Sequence, residues 1–197
     1  MGICLLFGSC TMQKSTVQVN DKGTEWEWNK GTIVVKTPER PAGQESVIGL
    51  ALPKMEVVRV GFVGLGMRGP GAVSRFTYIP GTQIVALCDY EKERAEKCQK
   101  YLKEASLPKA AVYLGDKGYE ELCKRDDIDL VYIATDWLHH FPVAKCALEN
   151  GKNVAIEVPS AMNLKECWEL VDLSEKNRKH CMILENCCYD WFEMNTL

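Results

Sequence analysis

One stretch, Val57 to Asp89, limits what this chain can fold into more than any other. An apolar run (Val57, Val58, Val60, Phe62, Val63) passes directly into Gly64-Leu65-Gly66-Met67-Arg68-Gly69, then a helix-compatible segment, then a second apolar run closing on Asp89. Strand, glycine turn, helix, strand and acid in that order specify a dinucleotide-binding unit. Gly64 is expected to make the tight turn, Gly66 to let the backbone approach a pyrophosphate, and Gly69 to let helix and strand pack closely. The helix N terminus then turns its free N–H groups toward the phosphates. Asp89, about twenty residues past the last glycine, is placed to accept hydrogen bonds from the adenosine ribose hydroxyls. A carboxylate there repels a 2′-phosphate, so the expected cofactor is NAD rather than NADP.

Beyond Asp89 the chain keeps the same alternation. Glu91 to Glu104 reads as a helix and Gly118 to Lys124 as a short one; Asp129 to Ala134 is an apolar run of the kind buried on both faces of a parallel sheet. Phe141 to Asn150 is helical and stops at Gly151, and Asn153 to Ile156 is a strand ending on Glu157. Asn163 and Glu166 form a capping pair for a helix through Glu175, and Cys181 to Leu184 is a further strand. The expected fold class is therefore α/β, a Rossmann-type doubly wound parallel sheet with right-handed crossovers. It occupies residues 57–186, with 187–197 beginning a connection onward.

Before this domain, Thr11 to Glu56 is polar and turn-rich, with two short alternating pieces, Glu25 to Trp28 and Thr32 to Val35. It lacks apolar residues enough to fold alone and reads as an arm packing on the later domain or on a neighbouring subunit, an arrangement compatible with a homo-oligomer. Residues 1–10, MGICLLFGSC, resemble the end of a bacterial lipoprotein signal in which Cys10 is lipidated, although no basic residue precedes the apolar part. Export to the bacterial cell envelope is the expectation from that segment, with a cytoplasmic location as the alternative. No apolar run approaches the roughly twenty residues of a membrane span.

A net charge of −3 and no long Lys/Arg run give no electrostatic reason to expect nucleic acid. Ten cysteines suggest a disulfide framework or a metal site until their contexts are read. Cys88 lies in an apolar strand, while Cys98, Cys123, Cys146 and Cys167 fall in helical patterns among Ala and Leu, where a thiol behaves as a small hydrophobe. No metal-ligand spacing is present, so no metal is expected. For the adjacent Cys187 and Cys188 core packing is the expectation, because neighbours are poorly placed to bridge, with a redox-active role as the alternative.

Ligands of open parallel sheets bind beyond the carboxyl ends of the strands. Those ends carry Gly64 to Gly69, Asp89, Thr135-Asp136-Trp137-Leu138-His139-His140, Glu157-Val158-Pro159 and Glu185-Asn186. Polar and aromatic residues thus gather on one edge.

In this order, with a Thr-x-x-x-x-His turn and Glu-x-Pro after the next strand, the motifs resemble the Gfo/Idh/MocA oxidoreductases. That family's usual string is Glu-Lys-Pro, with Lys beside the nicotinamide and the substrate hydroxyl; here Val158 stands in its place. Gly66-Met67-Arg68-Gly69, Glu157-Val158-Pro159-Ser160-Ala161, Glu166-Cys167-Trp168-Glu169-Leu170 and Leu184-Glu185-Asn186-Cys187-Cys188-Tyr189 resemble one branch more closely, glycoside hydrolase family 109, from about Val57 to Leu197. The sequence departs from that branch at Asp136 and His139. The resemblance implies NAD contact by Met67, Arg68, Asp89, Trp137, Leu138, His139, His140, Glu157, Val158 and Asn186. It also implies a glycan substrate, hydrolysis of terminal α-N-acetylgalactosamine, and a route through transient oxidation at sugar carbon 3, elimination, water addition and re-reduction. The family's catalytic His and Tyr belong to a second, substrate-binding α/β domain that is missing or truncated here, so no catalytic residue is assigned within this chain. A sugar or polyol dehydrogenase and a non-catalytic NAD-binding module are the alternatives.

Overall fold

The computed structural model describes residues 18–19, 25–36 and 38–196. The lipoprotein-like segment ending at Cys10 lies outside them. The chain divides into two compact units, Met1–Glu39 and Arg40–Leu197.

In the first unit β1 (Gln18–Val19), β2 (Glu25–Asn29) and β3 (Thr32–Val35) form an antiparallel sheet, with Trp26 opposite Val35 and Trp28 opposite Ile33. Lys30 and Gly31, at φ 46° and 85°, close the β2–β3 hairpin. Two positive φ values match the turn to the right-handed twist of the strands.

The second unit alternates strand and helix: β4 (Val58–Val63), α1 (Gly69–Phe76), β5 (Thr82–Asp89), α2 (Lys92–Glu104), β6 (Ala111–Leu114), α3 (Gly118–Cys123), β7 (Leu130–Ile133), α4 (Trp137–Glu149), β8 (Asn153–Ile156), α5 (Leu164–Asn177) and β9 (Cys181–Ile183). A 3-10 turn at Asn186–Tyr189 and the short α6 (Trp191–Met194) complete the described chain. The strands lie in the order β6-β5-β4-β7-β8-β9, every neighbouring pair parallel. This is the doubly wound Rossmann order, and its direction reverses between β4 and β7.

Each face of the sheet has its own core. Val60, Phe62, Leu87, Ala72, Val73, Cys98 and Leu102 join α1 and α2 to one side; Val131, Ile133, Val143, Leu148, Ile156, Leu122 and Leu170 join α3, α4 and α5 to the other. Residues of β8, Asn153–Ile156, are buried throughout, as a central parallel strand requires. Phe62, Phe76 and Tyr132 pack as a trio with ring centroids 5.1 to 5.8 Å apart, fixing α1 against β4 and β7.

Caps and ion pairs set where elements begin. Asn163 Oδ1 accepts from the Glu166 N–H at 3.0 Å, as the capping pair in the sequence requires. Arg59 grips Asp129 through Nε, Nη2 and its own backbone N–H at 2.7 to 2.9 Å, tying β4 to the start of β7. Arg40 forms a two-armed pair with Glu175 at 2.9 Å, Gln44 bonds Asp172 and Glu175, and Arg178 bonds the Glu45 and Ser46 carbonyls. Residues 40–46 are thereby clasped to α5.

Three expectations need correction. Strand β6 carries no long apolar run and is not among the strands that the sequence pattern predicts. Helix α4 starts at Trp137 rather than Phe141, because Asp136 caps it by accepting the Leu138 N–H at 2.9 Å. Cys187 and Cys188 are exposed, since the 3-10 turn that carries them leaves the sheet, and Cys167 is exposed on α5; Cys88, Cys98 and Cys123 are buried free thiols. Burial pushes the Cys88 thiol up to about 12, with the Asp89 charge adding to it, and Cys98 up to about 11.

Candidate functional site

At the switch between β4 and β7 the strands end in step: the Gly64 N–H donates to the Cys88 carbonyl at 2.9 Å, Ala134 N–H to Val63 at 2.8 Å, and Glu157 N–H to Ile133 at 2.9 Å. A cleft of about 410 Å³ opens above these ends. It has the size of a small-molecule site and sits where sheets of this order bind ligands.

The floor is the glycine turn. Gly64, at φ +88°, has Ala134 and Thr135 backbone atoms 2.5 Å from where a Cβ would stand, so no side chain fits. A Cβ on Gly69 would lie 2.0 Å from the Gly64 carbonyl oxygen, so the start of α1 rests directly on the turn. Gly66 differs: its Cβ would meet only the tip of Arg94, at 3.5 Å. The turn is therefore closed toward the sheet at Gly64 and Gly69 and open toward the cleft at Gly66. Arg68 at the N-cap of α1 makes no side-chain capping bond, which leaves the N–H groups of the first turn, other than at Pro70, which has none, to a ligand.

The walls come from the next strand ends. Asp89, 5% exposed, accepts the Leu65 N–H on Oδ2 at 2.7 Å and the Glu91 N–H on Oδ1 at 2.9 Å. The acid thus shapes the glycine turn as well as facing the cleft. Trp137, His139 and His140 line the cleft from the first turn of α4, and Glu157 and Val158 from the end of β8. His139 is held between two aspartates, with Nδ1 2.6 Å from Asp136 Oδ2 and Nε2 3.3 Å from Asp116 Oδ1. Burial alone would raise the Asp136 carboxyl, but the His139 ring and the Leu138 and His139 N–H groups hold it below the usual value. His140 is buried; its Nδ1 lies 2.6 Å from the Pro159 carbonyl, so Nδ1 carries the proton that this carbonyl accepts. Nε2 has no partner among the described residues, and a buried polar atom in a cleft wall calls for a hydrogen-bonding group of a ligand. An open cradle at Gly66, uncapped helix N–H groups and this unpartnered nitrogen together fit a dinucleotide.

Of the thirteen residues expected to contact the cofactor, Gly64, Gly66, Met67, Arg68, Asp89, Trp137, His139, His140, Glu157 and Val158 line the cleft. Gly69 lies beneath it as packing. Leu138 is 74% exposed, and Asn186 stands on the 3-10 turn; neither is part of the cleft wall. The structure adds Tyr90, Arg94, Asp116 and Tyr119 to the wall. It also adds Tyr132 behind it, whose hydroxyl donates to Glu157 Oε1 at 3.1 Å. Burial, and then the Glu157 carboxylate, push the Tyr132 phenol up to about 12, so it stays a donor across the physiological range. Among the described residues no three His, Cys, Asp or Glu side chains gather as a metal site, and no helix is long and apolar enough to cross a membrane.

The profile described as "Oxidoreductase family, NAD-binding Rossmann fold" (GFO_IDH_MocA) matches residues 58–185. Two Phocaeicola vulgatus proteins, named glycosyl hydrolase family 109 proteins 4 and 5, are 79% and 80% identical over 100% and 95% of this chain, which covers 38% and 36% of them. A Bacteroides thetaiotaomicron protein named glycosyl hydrolase family 109 protein 1 is 64% identical over 84% of the chain, which covers 36% of it. The chain thus spans little more than a third of the length of these relatives. Among solved structures, myo-inositol dehydrogenase from Lactobacillus casei in complex with NAD(H) and myo-inositol superposes at a TM-score of 0.60 with 26% identity, over 71% of this chain and 42% of that one. An NAD-binding protein from Listeria innocua does so at 0.56 with 25% identity, over 68% and 36%.

Proposed function

The chain belongs to the Gfo/Idh/MocA oxidoreductase family as an NAD-binding Rossmann domain, and from that premise we propose that it serves an NAD-dependent glycosidase acting on terminal α-N-acetylgalactosamine. Val158 carries the reading: the cleft wall presents a branched apolar side chain after Glu157, where the wider family places an ammonium that would hold and acidify an alcohol. The names of the relatives point the same way.

NAD, when bound, supplies reversible hydride transfer, which here would oxidise sugar carbon 3, allow elimination of the glycosidic oxygen and, after water adds, restore the carbon. No net oxidation results, and the paired carboxylates of ordinary glycosidases are not needed. The task of this chain is to hold and aim. Gly66 and the N terminus of α1 would receive the pyrophosphate, Asp89 the adenosine ribose, and His140 Nε2 a polar group further along the cleft. Glu157, fixed by Tyr132, keeps a carboxylate on the same edge. The acid and base that act on the sugar are expected outside this domain.

A dehydrogenase of free sugars or polyols is the second reading, favoured by the likeness to myo-inositol dehydrogenase. Incubating the gene product with NAD and either a chromogenic α-N-acetylgalactosaminide or free sugars separates the two. Glycoside cleavage without net NADH supports the glycosidase; NADH accumulation without cleavage overturns it in favour of the dehydrogenase. Nucleotide binding with neither activity favours a binding module. We also propose export through the Phe7-Gly8-Ser9-Cys10 segment, which the mass of the native N terminus tests: lipidated Cys10 supports it and an unmodified Met1 or Gly2 refutes it.

A further inference from the structure

At the β5 end of the cleft, the carboxylate that faces the ribose has a cation beside it. Arg94 Nη1 is 3.6 Å from Asp89 Oδ1. Its guanidinium lies over the Tyr90 ring, 5.2 Å from the centroid, and Nη2 is held by Glu91 Oε1 at 3.0 Å. The same Nη1 stands 3.5 Å from where a Gly66 Cβ would be. Arg94 therefore occupies the rim between the acid and the middle glycine, the part of a Rossmann pocket that seats the adenosine ribose. A lone carboxylate at this point excludes a 2′-phosphate by charge. An arginine nearby accommodates one, because its planar fork of N–H donors matches phosphate oxygens and stays charged at every working pH. The Glu91 partner is 46% exposed, so its pair with Arg94 is screened by water and is readily exchanged for a phosphate.

We propose that Arg94 is a specificity-determining residue of the nucleotide site. It offsets the charge of Asp89, so the cleft accepts NADP as well as NAD and separates them only weakly. The inference rests on the cleft being the NAD site, and a paired titration distinguishes the two claims.

Calorimetric titration of the full chain with NAD and with NADP reads it directly. The unaltered chain should bind NADP within about tenfold of NAD. Arg94→Gln should weaken NADP by a further tenfold to hundredfold, roughly the span of one charge-assisted phosphate contact, while weakening NAD less than about threefold. Arg94→Lys, which keeps the charge and loses the fork, should fall between them. NADP affinity should also drop more steeply with salt than NAD affinity in the unaltered chain, and no longer do so in Arg94→Gln. An unaltered chain that rejects NADP by more than about a hundredfold overturns the proposal. So does an Arg94→Gln variant that loses both nucleotides in equal proportion. If the unaltered chain binds neither nucleotide, the cleft itself is misassigned and the inference falls with it.

Discussion

Gly64, Gly66 and Gly69 are the same residue in three physical situations, and only their surroundings separate structure from function. A methyl group at Gly69 would collide with the Gly64 carbonyl, a backbone atom that cannot swing away. Gly69→Ala should therefore cost about 1–3 kcal/mol, the usual range for overpacking, read as a lower denaturant midpoint. A side chain at Gly66 points into open cleft, so Gly66→Val should leave the midpoint near that of the unaltered chain and abolish NAD binding. Undiminished NAD affinity in that variant would remove the pyrophosphate from this turn. Tyr132 acts one layer back. Tyr132→Phe keeps the aromatic trio and frees Glu157, and it should weaken NAD binding severalfold while the fold persists; unchanged affinity would make the hydroxyl a packing feature only. The glycines and Asp89 were legible in the sequence because their spacing is dictated by the turn itself. Arg94 and Tyr132 were not, because a lone Arg on a charged helix and a lone Tyr in an apolar strand show nothing of what they face.

At the scale of elements, the strands with long apolar runs, β4, β5, β7 and β8, could be read directly because burial on both faces demands such runs. Strand β6 could not, since it is a four-residue edge strand whose residues alternate between half-buried and exposed. Missing it also hid Asp116, which lies just beyond it and meets His139. The start of α4 is displaced from the sequence expectation because its first turn faces the cleft instead of the core, so the apolar period begins a turn late. The Arg59–Asp129 link gives this level a pH test. The Arg59 guanidinium and backbone N–H hold the Asp129 carboxyl below its usual value, against the opposing pull of burial. A depressed carboxyl adds stability that is present above its unfolded value, about pH 4, and is lost as pH falls through the folded value. Asp129→Asn should thus destabilise the chain most near neutrality, by about 1–3 kcal/mol, and the difference should shrink toward pH 2. A penalty independent of pH would mean that the charge is not what holds β4 to β7.

The whole molecule places every expected strand end but one around a single cleft. The exception, Asn186, comes after β9 at the sheet edge, where the polypeptide is already leaving the sheet. Thiol reactivity reports on the same architecture: in the native protein Cys167 and Cys188 should alkylate readily and Cys187 more slowly, because the Glu185 carboxylate pushes its thiol up, whereas Cys88, Cys98 and Cys123 should react only on unfolding. Fast labelling of Cys88 would mean that the cleft floor opens to solvent. The central claim, that NAD sits across the β4–β7 switch, is tested most directly by the backbone amide NMR shifts that NAD produces in the labelled chain. NAD seated there should give the largest changes at Gly64 to Gly69, Asp89 to Glu91 and Trp137 to His140, with none at the opposite ends of the strands near Val58, Thr82 and Asn153. Saturable changes centred elsewhere, or no changes at all, would contradict it.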